Sequence, residues 1–350
     1  MIYTVTLNPA IDYVVHLQSP LEAGKLNRSA EEEAQPGGKG INVSSVLRNL
    51  EEETVALGFT AGFTGQGLEE GLRSQGLTVD FVHVREGFTR INVKVKASAG
   101  VAADGERLEE DSEDGSDRKM EETEINGSGP LIREEELAAL IRKLKTAEEG
   151  DTVVMAGSIP KGVPADIYAD LADMLGKKHV RTVVDTTGER LLKTLPYHPF
   201  LIKPNHHELS EIFNVRLPSE GELTEFVSIY ARELWSQGQE PGARNVLVSM
   251  GSKGAFLLDE NGETHVIGCV GGRPVNTVGA GDSMVAGFLH GCLRSLESSG
   301  AIDYEEALLW GTAAGGATAS SLGLASRERI DELMKELKAE EENDPSGYIK

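Results

Sequence analysis

The sequence is short of cysteine, of aromatic residues and of positive charge. Two cysteines, Cys269 and Cys292, make neither a metal-ligand spacing nor a disulfide framework, so reduced thiols in a cytoplasmic protein are expected. No apolar run is long enough to cross a bilayer. No charged region precedes an apolar stretch at the N-terminus; Met1–Leu7 reads at once as a buried strand, and no signal peptide is expected. With 34 Lys and Arg against 57 Asp and Glu, the formal net charge is −23. Such a surface repels nucleic acid and anionic membranes, and neither is expected as a partner. An anionic ligand would have to find its positive charge within its own site. Two nucleotide motifs are missing as well: there is no Gly-x-x-x-x-Gly-Lys-Ser/Thr loop and no dinucleotide fingerprint after the first strand.

What is present is 39% hydrophobic residues in 350, enough for a large α/β core. Strand-like runs at Ile2–Leu7, Thr54–Phe59, Thr152–Ala156, Arg181–Asp185, Leu201–Lys203, Asn245–Ser249 and Ala255–Asp259 alternate with amphipathic helical patterns. That alternation predicts a mainly parallel sheet covered by helices on both faces. After Gly281 the pattern is helical. Two stretches break the rhythm, about residues 10–35 and 86–126, and predict a small β-lid. Within the second, the acidic stretch Gly100–Glu122 has almost no apolar content and reads as a disordered insertion. Residues 338–350 read as a polar C-terminal tail.

Three glycine-rich or polar segments carry chemistry. In Asn276-Thr277-Val278-Gly279-Ala280-Gly281-Asp282-Ser283, glycines bring backbone N–H groups to a helix start, where an anion is favoured. An Asp there repels a phosphate, but makes sense as a general base beside one that amides neutralise. The plainer reading is a glycine turn with an N-capping Asp. Gly37-Gly38-Lys39-Gly40-Ile41-Asn42 again places glycines before a helix; the plainer reading is a loop with a solvated lysine. In Lys203-Pro204-Asn205-His206-His207-Glu208, Asn and Glu three apart suit a hydrated Mg²⁺ or a simple helix cap. The two histidines lack the one-face spacing of a zinc site. Asp12 lies just past the first strand's C-terminal end, where open α/β sheets bind ligands.

Taken in order, these segments resemble the PfkB (ribokinase-like) family of carbohydrate kinases, from Met1 to about residue 337. Gly37-Gly38-Lys39-Gly40-x-Asn42 is similar to the family's first signature, and Asn276–Ser283 to its second. Within the family, Thr4–Asp12, Leu26-Asn27-Arg28, Thr89–Lys94 and Thr123–Pro130 resemble the bacterial 1-phosphofructokinase subgroup; tagatose-6-phosphate kinases share several of them. Glu51 departs from the pattern, standing where a helix-ending glycine is common.

The resemblance implies a ribokinase-like three-layer α/β/α sandwich. It implies ATP as co-substrate, Mg²⁺, and a sugar phosphate as substrate. By that likeness Asp12, Gly38 and Asn42 bind sugar hydroxyls, while Arg90, with Arg28 and Lys39, binds the substrate phosphate. Lys203, Asn205, Ser249, Gly251 and Gly254 line the ATP site, and Glu208 acts on Mg²⁺ through water. The amides of Gly279, Ala280, Gly281 and Asp282 form an anion hole, and Asp282 is the base that activates the acceptor hydroxyl. The expected reaction is phosphorylation of fructose 1-phosphate at C6, with a homodimer through the lid as a further expectation. Three other readings compete: a tagatose-6-phosphate kinase, a ribose or nucleoside kinase, and a catalytically silent sugar-phosphate sensor.

Overall fold

The expected strands assemble into one sheet with two apolar faces. A computed structural model describes residues 1–98, 120–236 and 241–343. Ten strands join the main sheet. Its parallel run sets β1 (Ile2–Thr6) between β4 (Thr54–Ala61) and β9 (Thr152–Ala156), and continues through β10 (Arg181–Asp185), β11 (Leu201–Ile202) and β12 (Asn245–Ser249). Antiparallel β13 (Ala255–Leu258) and β14 (Thr264–Ile267) close one edge. Short β5 (Thr78–Val79) and β6 (Val82–Val84) both pair with β4 at the other.

Successive strand residues point to opposite sides, so each strand feeds two cores. Val153 and Met155 join one, Val154 and Ala156 the other. The first is covered by α3 (Glu134–Leu144), α4 (Ile167–Gly176) and α7 (Leu223–Trp235). The second is covered by α1 (Lys39–Asn49), α8 (Ala280–Ser299), α9 (Tyr304–Ala319) and α10 (Arg327–Asn343). A small third cluster packs Leu68 and Leu72 of α2 (Gly62–Ser74) beneath Ile41. Two short helices, α5 (Gly188–Leu192) and α6 (His206–Ile212), follow β10 and β11. The result is the expected α/β/α sandwich. Among the described residues no helix is long and apolar enough to cross a membrane.

Four further strands form the lid, in the order β3 (Ser29–Gly37), β2 (Ala10–Leu17), β7 (Arg90–Ser98), β8 (Met120–Asn126), with β2 and β7 parallel. Three boundaries differ from expectation. The polar stretch after Leu17 includes strand β3, despite Glu31, Glu32 and Glu33, because its backbone pairs along β2. Met120–Glu122 belong to β8, paired with Lys96–Ser98, rather than to the acidic insertion; residues 100–119 of that insertion lie outside the described residues. Helix α10 continues to Asn343 into the expected tail, with Lys338 Nζ on Glu306 at 2.9 Å; residues 344–350 lie outside the described residues. Glu51, in the place of a helix-ending glycine, takes a left-handed φ of 67°.

Candidate active site

The C-terminal ends of the parallel strands and the lid enclose a cleft of about 810 Å³. It gathers Asp12, Gly38, Lys39, Asn42 and Arg90 with Lys203, Asn205, Glu208, Ser249, Gly251 and Gly254, and with Gly279, Ala280, Gly281 and Asp282. Of the expected site residues only Arg28 is outside. It is exposed, next to Ser29, which pairs with Leu17 at the far end of the hairpin. At about 3.4 Å per residue, β2 carries that end ~17 Å from Asp12.

Asp282 lies in the first turn of α8 and is 6% exposed. Gly279 caps that helix with φ +80°, and a Cβ there would stand 2.7 Å from Leu324 Cδ2, so both conformation and space call for glycine. The first amides of a helix lack intrahelical acceptors. One of the four expected anion-hole amides is nevertheless engaged: Ala280 N–H donates to Thr277 O at 3.2 Å, closing the turn. The amides of Gly279, Gly281 and Asp282 have no backbone partner among the described residues.

The Asp282 carboxylate accepts a hydrogen bond from Asn42 Nδ2 at 2.7 Å. Burial pushes its pKa up, and the nearby Asp185 charge adds to the rise; Lys39, Asn42 and Lys203 oppose it, leaving a value of about 7. Asp185, which ends β10 and is 1% exposed, was not singled out from the sequence. Its Oδ1 lies 3.0 Å from Lys39 Nζ and 3.7 Å from Lys203 Nζ. Burial alone would raise this carboxyl; Lys203 and Lys39 outweigh it and hold the group below the ordinary aspartate value. Lys39 is held above the ordinary lysine value, because Asp185 and Asp282 outweigh its burial. Lys39 pairs with Asp185 and still faces the cleft. The rule that drew attention to Asp12, an acid at the C-terminal end of a parallel strand, also applies to Asp185.

On the lid side, Asp12 Oδ1 accepts from Asn92 Nδ2 at 2.9 Å, and Lys94 Nζ is 3.9 Å from Asp12 Oδ2. Asn92 lines the cleft although no role was expected for it. Arg90 donates from Nε to Asn8 O at 3.1 Å. Burial lowers its pKa and Asp12 partly offsets that, but an arginine remains charged at neutral pH.

At the other end of the cleft, the plainer reading of the Asn–Glu pair holds as well. Asn205 Oδ1 accepts from Glu208 N, and Glu208 Oε2 from Asn205 N, both at 2.8 Å, a capping box at the start of α6. Glu208 still faces the cleft. Asp185 Oδ2 is buried without a partner among the described residues. The Glu208 carboxylate is a hard donor of the kind Mg²⁺ takes, directly or through water, so the cleft can fit that ion.

A helix-start anion site beside a buried carboxylate, at the strand ends of a parallel sheet, is the equipment of phosphoryl transfer. The model for pfkB family carbohydrate kinases matches residues 5–107 and 116–330, and the chain belongs to that family. The gap between the two matched stretches falls inside the acidic insertion. The chain is 41% identical to 1-phosphofructokinase of Bacillus subtilis, over 97% of this chain and 99% of that protein. It is 34% identical to D-tagatose-1-phosphate kinase of Bacillus licheniformis, over 96% and 98% of the two chains. The crystal structure of phosphofructokinase-2 from Escherichia coli in complex with fructose-6-phosphate matches it with a TM-score of 0.78 at 28% identity, covering 96% of this chain and 99% of that one. The protein is thus a phosphotransferase acting on a carbohydrate hydroxyl group, with ATP as co-substrate.

Proposed function

We propose that the chain transfers the γ-phosphoryl group of ATP to the C6 hydroxyl of fructose 1-phosphate, giving fructose 1,6-bisphosphate. The observation that carries this reading is the buried Asp282, poised near neutrality at a helix-start anion site, in the same cleft as Arg90. The substrate phosphate sits on Arg90, and Asp12, Gly38 and Asn42 hold the sugar hydroxyls, so that the distal hydroxyl reaches Asp282. ATP lies along Lys203, Asn205, Ser249, Gly251 and Gly254. Asp282 takes the hydroxyl proton while the free amides at Gly279, Gly281 and Asp282 hold the transferring group. Lys39 and Lys203 balance the charge there, and Asp185 keeps both in place. Glu208 would hold Mg²⁺ through water, and the ion would supply further neutralisation of the phosphates. Lid closure excludes water and limits ATP hydrolysis.

Two of the more similar relatives, 1-phosphofructokinase and D-tagatose-1-phosphate kinase, are named for C1-phosphorylated sugars, which favours that end for the phosphate. Tagatose 1-phosphate, an epimer, is the second reading. The test is kcat/KM for fructose 1-phosphate, tagatose 1-phosphate, fructose 6-phosphate, tagatose 6-phosphate and fructose, on wild type and Arg90→Ala. Fructose 1-phosphate is expected to lead on wild type, and Arg90→Ala to erode its lead over fructose selectively. A lead for either tagatose phosphate would move the assignment within the family; a lead for unphosphorylated fructose would remove the phosphate pocket.

We also propose that two copies pair through the lid, whose face away from the cleft carries an apolar strip on β2 and β7.

A further inference from the structure

Asn8 stands where the lid is rooted in the main sheet. It follows β1 and, with Pro9, leads into β2. Its backbone carbonyl accepts the Arg90 guanidinium, through Nε at 3.1 Å. Arg90 opens β7 and lies opposite Ala10. Asn8 also lines the cleft, and its side-chain Nδ2 donates to Ser128 O at 3.4 Å, in the segment returning from β8. That segment is tied to β7 as well, since Gly127 N–H donates to Ile91 O at 3.2 Å. One residue thus touches three of the chain crossings between sheet and lid.

The amide is held there against its own solvation. Asn8 is 7% exposed, and its Oδ1 is buried with no partner among the described residues. The orientation is fixed by chemistry: turned over, the oxygen would face the Ser128 carbonyl, acceptor against acceptor. Gly129, with φ +79°, makes room, because a Cβ there would stand 2.3 Å from Asn8 Oδ1. A buried acceptor without a donor costs stability, and such residues concentrate at functional sites.

We propose that Asn8 is a positioning residue for the substrate phosphate: its side chain clamps the lid's return segment so that its carbonyl aims Arg90 into the cleft. This rests on the reading of Arg90 as the phosphate ligand. The clamp is a donor to Ser128 O, so an isosteric side chain without a donor cannot replace it.

The test compares wild type, Asn8→Ala, Asn8→Asp, Arg90→Ala and the Asn8→Ala/Arg90→Ala double variant. Four quantities are measured: kcat/KM for fructose 1-phosphate, kcat/KM for fructose, KM for ATP, and Tm. Asn8→Ala and Asn8→Asp are each expected to lower kcat/KM for fructose 1-phosphate about tenfold, mainly through KM. Fructose and ATP parameters stay near wild type, and the Tm of Asn8→Ala does not fall. The double variant is no worse than Arg90→Ala alone, because the two residues act as one unit. Additive losses would overturn the coupling, as would equal losses on fructose and fructose 1-phosphate, or a lowered Tm accompanied by a raised KM for ATP. If Arg90→Ala itself keeps the preference for the phosphorylated sugar, the phosphate-pocket reading fails and takes this role with it. If Arg90→Ala loses the preference and Asn8→Ala adds independently, only the role of Asn8 falls.

Discussion

At the scale of single residues, Asp282 has two consequences of opposite sign. As the proposed base it works only when ionised, and burial has raised its pKa to about 7. For the free enzyme, kcat/KM is therefore expected to fall as pH drops below about 7, tenfold per unit. Asn42 donates to the ionised carboxylate and holds the pKa down, so Asn42→Ala should move that limb to higher pH. Asp185 repels the ionised form, so Asp185→Asn should move it lower. Asp282→Asn should lose about 10²–10⁴-fold in kcat with little change in ATP affinity. A limb that stays put in both neighbouring variants, or an Asp282→Asn enzyme retaining half of its kcat, would remove Asp282 as the base. Stability follows the other branch. The folded chain holds this proton more tightly than the unfolded one, so the stabilisation is fully present below about pH 4 and is lost as pH rises through about 7.

At the scale of elements, the proposed mechanism makes transfer depend on the start of α8, and its two glycines differ. A Cβ on Gly281 would stand 3.1 Å from Lys203 Nζ, a contact relieved by a shift of a few tenths of an ångström, whereas one on Gly279 meets Leu324 at 2.7 Å with φ at +80°. Gly279→Ala is expected to cost about 1–2 kcal/mol in denaturant unfolding and to lower kcat about tenfold as the first amides shift. Gly281→Ala should unfold like wild type. Unchanged kcat in Gly279→Ala would show that the helix start does not act on the transferring group. The same elements show what a sequence can carry. Thr152–Ala156, Arg181–Asp185 and Asn245–Ser249 were legible to the residue because they are buried on both faces and read as continuous apolar runs. Strands β3 and β8 were not: their exposed glutamates resemble a loop, and only pairing with β2 and β7 makes them strands. The glycine loops marked where the site lies. Asp185 escaped because a single Asp after a strand resembles a turn, and its meaning comes from two lysines, Lys39 and Lys203, distant in sequence. Arg28 stood beside motif residues in sequence, but the length of β2 carries it away from the cleft.

At the scale of the whole molecule, the lid is a sheet with two unlike faces. Asp12 and Asn92 lie opposite one another in the register and line the cleft; His16, Lys94 and Lys96 share their parity. The alternate positions, Ile11, Tyr13 and Val15 on β2, and Ile91, Val93 and Val95 on β7, stand on the other face, with Ile125 of β8 opposite Val93. Among the described residues none of these side chains joins the cores under the helices, and Ile125 is 62% exposed. A half-covered sheet of this kind gains most from a second copy laid face to face. Edge-to-edge pairing is disfavoured, since β3 carries Glu31, Glu32 and Glu33 and β8 carries Glu121, Glu122 and Glu124, and two acidic edges repel. With a net charge of −23 per copy, the pairing must overcome long-range repulsion, so added salt should strengthen it. Val93→Asp places a charge at the centre of the apolar face without touching the cleft face. Sedimentation velocity is expected to find wild type as a dimer that tightens from low to moderate salt, and Val93→Asp as a monomer of unchanged Tm. A wild-type monomer at high micromolar concentration, or a Val93→Asp dimer as tight as wild type, would show that the lid face is not where copies meet.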